Sequence, residues 1–188
     1  MASFQKWSII LILVIFGIIL NLLFYGEIFN LFYTPDIYTV EGYTPGPTVL
    51  VIGSTHGSEP AGTNTCSQLL KDLESGNIKI KKGKIKVIPQ PNPLGYNLNK
   101  RERISLMNGD INRNYDLNGG KCKISKFIID EINSGVDLCI DLHEGWGFHS
   151  KNKKSVGSTL SPTDGKITNH ICNEVITELN KEINEESK

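Results

Sequence analysis

Arginine is scarce in this chain: three stand against seventeen lysines among 188 residues, and all three lie between positions 101 and 113. Net charge is absent as well, with 20 basic side chains balancing 20 acidic ones. A nucleic-acid partner is therefore not expected, because a phosphate backbone is held by a basic surplus. The four cysteines (Cys66, Cys122, Cys139, Cys172) are scattered and form no C-x-x-C pair, which argues against a disulfide-dense scaffold or a thiolate zinc cluster. Cys66 and Cys139 fall in apolar stretches and are expected in the core as small hydrophobes. No N-x-[ST] sequon occurs despite many asparagines, so the chain shows no sign of N-glycosylation.

Charge is also missing from residues 7–25, which read WSIILILVIFGIILNLLFY. At 1.5 Å per residue this run covers about 28 Å, close to the thickness of a hydrocarbon core. Trp7 and Tyr25 stand at its ends, where amphipathic rings prefer the interface. Residues 1–26 are expected to form a membrane anchor. Lys6 before the span and Glu27 and Asp36 after it favour a cytoplasmic N-terminus. The competing reading is a signal peptide, with secretion after cleavage. Its apolar region would run about 7–15 residues and end at a small-residue cleavage site, neither of which fits.

Past the anchor, residues 27–47 read as a tether broken by Pro35, Pro45 and Pro47, with a short strand near residues 37–40. Residues 48–188 form the domain. Its pattern predicts a buried strand at 48–52 (TVLVI), a helix at 61–73, a strand at 84–89, turns through 91–120, a helix at 123–133 and a buried strand at 136–142 (VDLCIDL). A last amphipathic helix follows Asp164 as its cap, with an apolar stripe from Ile167 to Ile183. Strands alternating with helices imply an α/β fold, a mostly parallel or mixed sheet flanked by helices. Function in such sheets gathers beyond the carboxyl ends of the strands.

Metal-ligating residues stand at those ends. Gly53-Ser54-Thr55-His56-Gly57-Ser58-Glu59 follows the first core strand, and His143 follows the strand at 136–142. An imidazole, a carboxylate and a second imidazole with a fourth position open form a catalytic zinc set. Asp141, two residues before His143 on a strand, shares its face and can fix its tautomer. His149 in a polar loop and His170 in the last helix are weaker candidates. In a chain that prefers lysine, the cluster Arg101, Arg103 and Arg113 suggests a site that needs the planar guanidinium fork for a carboxylate.

The segments HGSE, DINRNYD and DLHE, in that order, resemble the zinc-dependent metallocarboxypeptidase superfamily, most closely its succinylglutamate desuccinylase/aspartoacylase branch. The likeness runs from about Thr48 to Gly165. It implies a carboxypeptidase-like fold and a Zn2+ ion held by His56, Glu59 and His143. It also implies that Asn112 and Arg113 grip the substrate carboxylate, and that an upstream arginine, Arg103 or Arg101, polarises the scissile carbonyl. The implied reaction is hydrolysis of an amide in a small acylated amino acid or a peptide C-terminus.

In that family the general base is a glutamate on a strand well downstream of the third ligand. After His143 this chain carries Glu144 and then only Glu174, Glu178, Glu182, Glu185 and Glu186, which belong to a charged helix and its end. Three expectations stay open: a truncated form of a longer enzyme, a catalytically silent remnant that binds metal or a carboxylate, or an enzyme in which Glu144 substitutes for the base.

Overall fold

The computed structural model describes residues 2–106, 109–116, 119–145, 147, 151–155, 159–163 and 165–182. The chain divides into two units, Met1–Glu144 and Gly145–Lys188. The first begins with α1 (Ala2–Phe32), followed by β1 (Tyr38–Glu41), β2 (Thr44–Gly53), α2 (Pro60–Glu74), β3 (Lys82–Ile88) and the short α3 (Pro93–Asn97). A 3-10 turn (Ile111–Arg113), α4 (Lys123–Asn133) and β4 (Leu138–Leu142) complete it.

The sheet is mixed, in the order β1-β3-β2-β4. β2 runs parallel to both β3 and β4, while β1 is antiparallel to β3. Alternation along β2 sends its side chains to opposite faces. Leu50 and Ile52 pack with Ile88, Ile111, Ile124 and Ile128, so α4 covers one face. Val51 packs with Val87 and Cys66, so α2 covers the other. Each buried aliphatic side chain contributes about 1.5–3 kcal/mol by leaving water. Cys122 and Ser125 cap α4 reciprocally, Cys122 N donating to Ser125 Oγ (3.1 Å) and Ser125 N to Cys122 Sγ (3.5 Å).

Two expectations are corrected. Residues 27–47 are not a plain tether: besides β1, at the strand expected near 37–40, they carry the end of α1 and the start of β2. Pro45 and Pro47 lie inside β2, where the register against β3 shifts between Thr44 and Thr48. A proline has no N–H to give the ladder, and a bulge accommodates it. The strand at 136–142 is not buried. β4 pairs only with β2 among the described residues, and Cys139 and Ile140 are exposed, Cys139 therefore lying outside the core. An apolar run records a preference for burial but not how many neighbours a strand has. Cys66 is fully buried.

α1 contains the one stretch among the described residues, Trp7–Phe32, that is long and apolar enough to cross a membrane. Its polar intruder Asn21 donates Nδ2–H to Gly17 O (2.8 Å), which hides the amide against the helix itself. The far end of α1 is docked on the domain. Tyr33 stacks on Phe29 with ring centroids 4.8 Å apart and donates its hydroxyl to Gln90 O (3.1 Å). Lys123 Nζ donates to Phe32 O (2.8 Å), a cation on the negative end of the helix.

In the second unit, α5 spans Lys166–Glu182. Ile167, Val175, Ile176 and Leu179 are exposed along it, as is His170. The expected cap Asp164, His149 and residues 183–188 lie outside the described residues.

Candidate metal centre

The turn after β2 is wound around Ser54, a non-glycine residue at φ +43°. Its hydroxyl donates to Glu59 O (2.5 Å) and accepts from Thr63 N (2.8 Å), tying the turn to α2. Gly57 packs so closely on α3 that a Cβ there would overlap the backbone of Gly95 and Tyr96, so only glycine fits. This winding carries His56 and Glu59 inward, to 1% and 5% exposure. Parallel pairing sets Leu142 of β4 opposite Gly53 of β2, so His143 emerges at the same sheet edge.

The three residues meet there, with one ligand atom from each lying within 4.8 Å of the others. Glu59 Oε1 is 2.8 Å from His56 Nδ1, and Oε2 is 2.8 Å from His143 Nδ1. The opposite nitrogens face aspartates: His56 Nε2 lies 3.1 Å from Asp110 Oδ1, and His143 Nε2 lies 3.1 Å from Asp141 Oδ2. With a cation on the Nδ1 side, the carboxylate beyond each ring would hold the proton on Nε2. Both Nδ1 atoms face the Glu59 carboxylate and His143 donates a proton to it, so a cation taking the place of that proton would find two imidazole nitrogens and a carboxylate. The donor set fits a metal ion with three protein ligands and an open position.

The hydrogen bond to Asp141 is the main reason the His143 imidazole is pushed up to about 9; burial opposes it, and Glu59 adds to it. Burial alone would raise Glu59. Hydrogen bonds from His143 and the Glu144 amide, with the charges of both imidazoles, hold its carboxyl below the ordinary value instead.

The arginine loop reaches this cluster from one side. Arg101 Nη1 lies 2.5 Å from Glu59 Oε1, and Arg101 O accepts from Gly57 N (3.0 Å), which ties the loop to the metal turn. Arg103 is placed differently, its backbone N donating to Gly109 O (3.0 Å). Asn112 N donates to Asp110 Oδ1 (2.9 Å). Arg113 ends the 3-10 turn, exposed and without an ion-pair partner among the described residues. Glu144 donates its backbone N to Glu59 Oε2 (3.2 Å), while its own carboxylate accepts from Ala61 N (3.0 Å) in the first turn of α2. Asp141 also accepts from Thr55 Oγ1 (3.0 Å).

Asp110 is the participant that sequence reasoning missed. It sits 54 positions from His56 and nothing in spacing joins them. The available signal was its place two residues before Asn112, where its side chain caps the 3-10 turn and so holds a carboxylate at a defined position.

The catalytic-domain model of succinylglutamate desuccinylases and aspartoacylases matches residues 45–151. A search of curated proteins finds no match. Among solved structures, the chain is similar to an aspartoacylase family protein from Mesorhizobium loti (26% identity, TM-score 0.46), with 58% of this chain aligned to 34% of that one. It is also similar to a succinylglutamate desuccinylase/aspartoacylase from Rhodobacter sphaeroides (27%, TM-score 0.46; 58% on 33%). A metallo-carboxypeptidase from Pseudomonas aeruginosa, solved with (2-guanidinoethylmercapto)succinic acid, aligns at 19% identity and TM-score 0.47 (58% on 31%). The match thus spans about a third of each of those chains. The family model covers more than half of this chain and contains the whole His56–Glu59–His143 cluster: the chain belongs to the succinylglutamate desuccinylase/aspartoacylase family.

Proposed function

We propose that the chain carries the metal-binding part of a membrane-anchored zinc hydrolase that cleaves an amide beside a carboxylate-bearing group. The observation that carries this reading is the meeting of His56 Nδ1, His143 Nδ1 and the Glu59 carboxylate within 4.8 Å. Zinc bound there would supply a Lewis acid for the carbonyl and a water with pKa near ~7. Asp110 and Asp141 keep both imidazoles in the tautomer that presents Nδ1. Asn112 and the exposed Arg113 grip the substrate carboxylate and so orient the amide. Arg101 or Arg103 stabilises charge developing on the carbonyl oxygen; Arg101 is favoured because its guanidinium already lies beside the cluster. Glu144, whose carboxylate accepts from Ala61 N, is the residue that takes a proton from water in this reading. The substrate is an acylated amino acid or a peptide C-terminus. Residues 7–25 hold the protein in the bilayer with the N-terminus in the cytoplasm.

A second reading, an anchored protein that binds zinc or a carboxylate without turnover, draws on one observation. Glu144 caps α2 through its carboxylate, a structural task that explains the residue without catalysis. Two measurements on the detergent-solubilised full chain decide. Bound zinc by mass spectrometry is expected at one per chain and lost in His56→Ala; its absence from the native protein would refute the hydrolase reading and the zinc-binding form of the second. Hydrolysis of N-acyl amino acids and C-terminal peptides is expected, with Arg113→Ala raising KM and Glu144→Gln lowering kcat. Zinc without turnover would establish the binder.

A further inference from the structure

The arginine loop does not stand free beside the metal centre. It is fastened to the end of the apolar helix. Asn30, only 8% exposed, donates Nδ2–H to Ile104 O (2.7 Å). Ser105 Oγ donates to Glu27 Oε1 (2.6 Å), and Leu106 N donates to the same oxygen (2.5 Å). Gly26 lies so close to this loop that a Cβ would sit 2.6 Å from Ile104 O. The outcome of this clamp is unusual: Leu106 is 65% exposed, yet it lines one apolar cleft with Leu20, Leu23 and Phe24 of α1.

Position along the helix says what surrounds that cleft. Measured from Trp7, a hydrocarbon core of about 30 Å ends roughly 20 residues later, near Gly26. Leu20, Leu23 and Phe24 therefore lie in the last turns still within lipid, and Glu27 lies at headgroup level. A leucine held against those turns shares their solvent. Burying such a side chain in acyl chains is favourable, with no polar neighbour in the cleft except Asn21, whose amide is already bonded to Gly17 O. Exposed Lys100 on the same loop would then meet lipid headgroups, where an anionic surface attracts a cation.

We propose that the arginine loop is a second membrane contact, with Leu106 inserted into the bilayer beside the end of α1. Glu27 and Asn30 hold it there, so that the site takes carboxylate-bearing amides presented at the lipid surface. The inference rests on the anchor and hydrolase readings above, and goes beyond them in naming where the substrate lies. It is tested in phosphatidylcholine vesicles with the full chain carrying Leu106→Trp as its single tryptophan (Trp7→Phe, Trp146→Phe). Lipids brominated near the headgroup end of the acyl chain should remove most of its emission, and Glu27→Ala should restore it by releasing the loop. A companion chain keeping Trp7 alone reports the anchor. Quenched emission from the companion chain with unquenched emission from the Leu106→Trp chain would overturn the proposal and leave the anchor standing. If neither is quenched, the anchor reading falls and this proposal falls with it. For substrate, Leu106→Asp should lower kcat/KM several-fold for a vesicle-borne N-palmitoyl amino acid while sparing its soluble N-acetyl analogue. An equal loss on both would overturn the surface-substrate claim, and absence of turnover on both by the native chain would overturn the hydrolase reading.

Discussion

At the scale of single residues, Glu59 organises the site. One buried carboxylate receives His56 Nδ1 and Arg101 on one oxygen, His143 Nδ1 and the Glu144 amide on the other. The two imidazoles differ in their surroundings. His56 is almost fully buried and its aspartate is 14% exposed, whereas His143 and Asp141 are 35% and 28% exposed. Replacing Asp110 by Asn is therefore expected to weaken zinc binding at the upper end of the ~10–100-fold range for such outer carboxylates, and Asp141→Asn at the lower end. Competition with a chromophoric chelator measures both; equal effects would contradict the burial argument. In the proposed reading zinc must also displace the His143 proton. With that imidazole pushed up to about 9 in the metal-free protein, zinc affinity is expected to fall about tenfold per pH unit below 9. In Asp141→Asn the main cause of the raised value is gone, so the fall should begin at lower pH.

At the scale of elements, the site depends on two parallel strands ending level with one another. α4 presses on the sheet through Ile124 and Ile128, both buried against Leu50 and Ile52 of β2. Ile128→Ala leaves a cavity there and is expected to destabilise the domain by about 2–5 kcal/mol in urea unfolding. Exposed Ile140→Ala on β4 should cost far less. The apolar runs at 48–52 and 84–89 and the helical period at 123–133 made β2, β3 and α4 readable from the chain alone. The edge position of β4 and the extension of β2 back through residues 44–47 were not readable, whereas β1 falls where a short strand was expected near 37–40. Both depend on which strands pair, and pairing is a property of distant segments. Pro45 and Pro47 are signals of a break in an isolated chain, yet a bulge absorbs them once β3 lies alongside.

At the scale of the whole molecule, metal binding and folding are linked. In the proposed reading zinc binds only where His56, Glu59 and His143 are assembled, so zinc at a hundredfold excess over Kd is expected to add about 2.7 kcal/mol of stability. The thermal transition of the solubilised chain should rise with zinc, return with a chelator and show no zinc response in His56→Ala. A shift that persists in His56→Ala would place the ion elsewhere.

The sequence by itself determined the kinds of group available and where they stand on the chain. A span without charge came first, then strands alternating with helices, then H-x-x-E after one strand and D-L-H after another, with every arginine gathered between them. Those are properties of composition and local period, and local physics sets them. Tertiary structure decided which atoms meet. Glu59 bonds to His143 across 84 positions, to Arg101 across 42, and His56 finds Asp110 across 54. The fastening of the arginine loop to α1 spans still other distances, 78 from Glu27 to Ser105. Such contacts follow from strand register and helix docking, which depend on the packing of the assembled core and on no neighbouring residue.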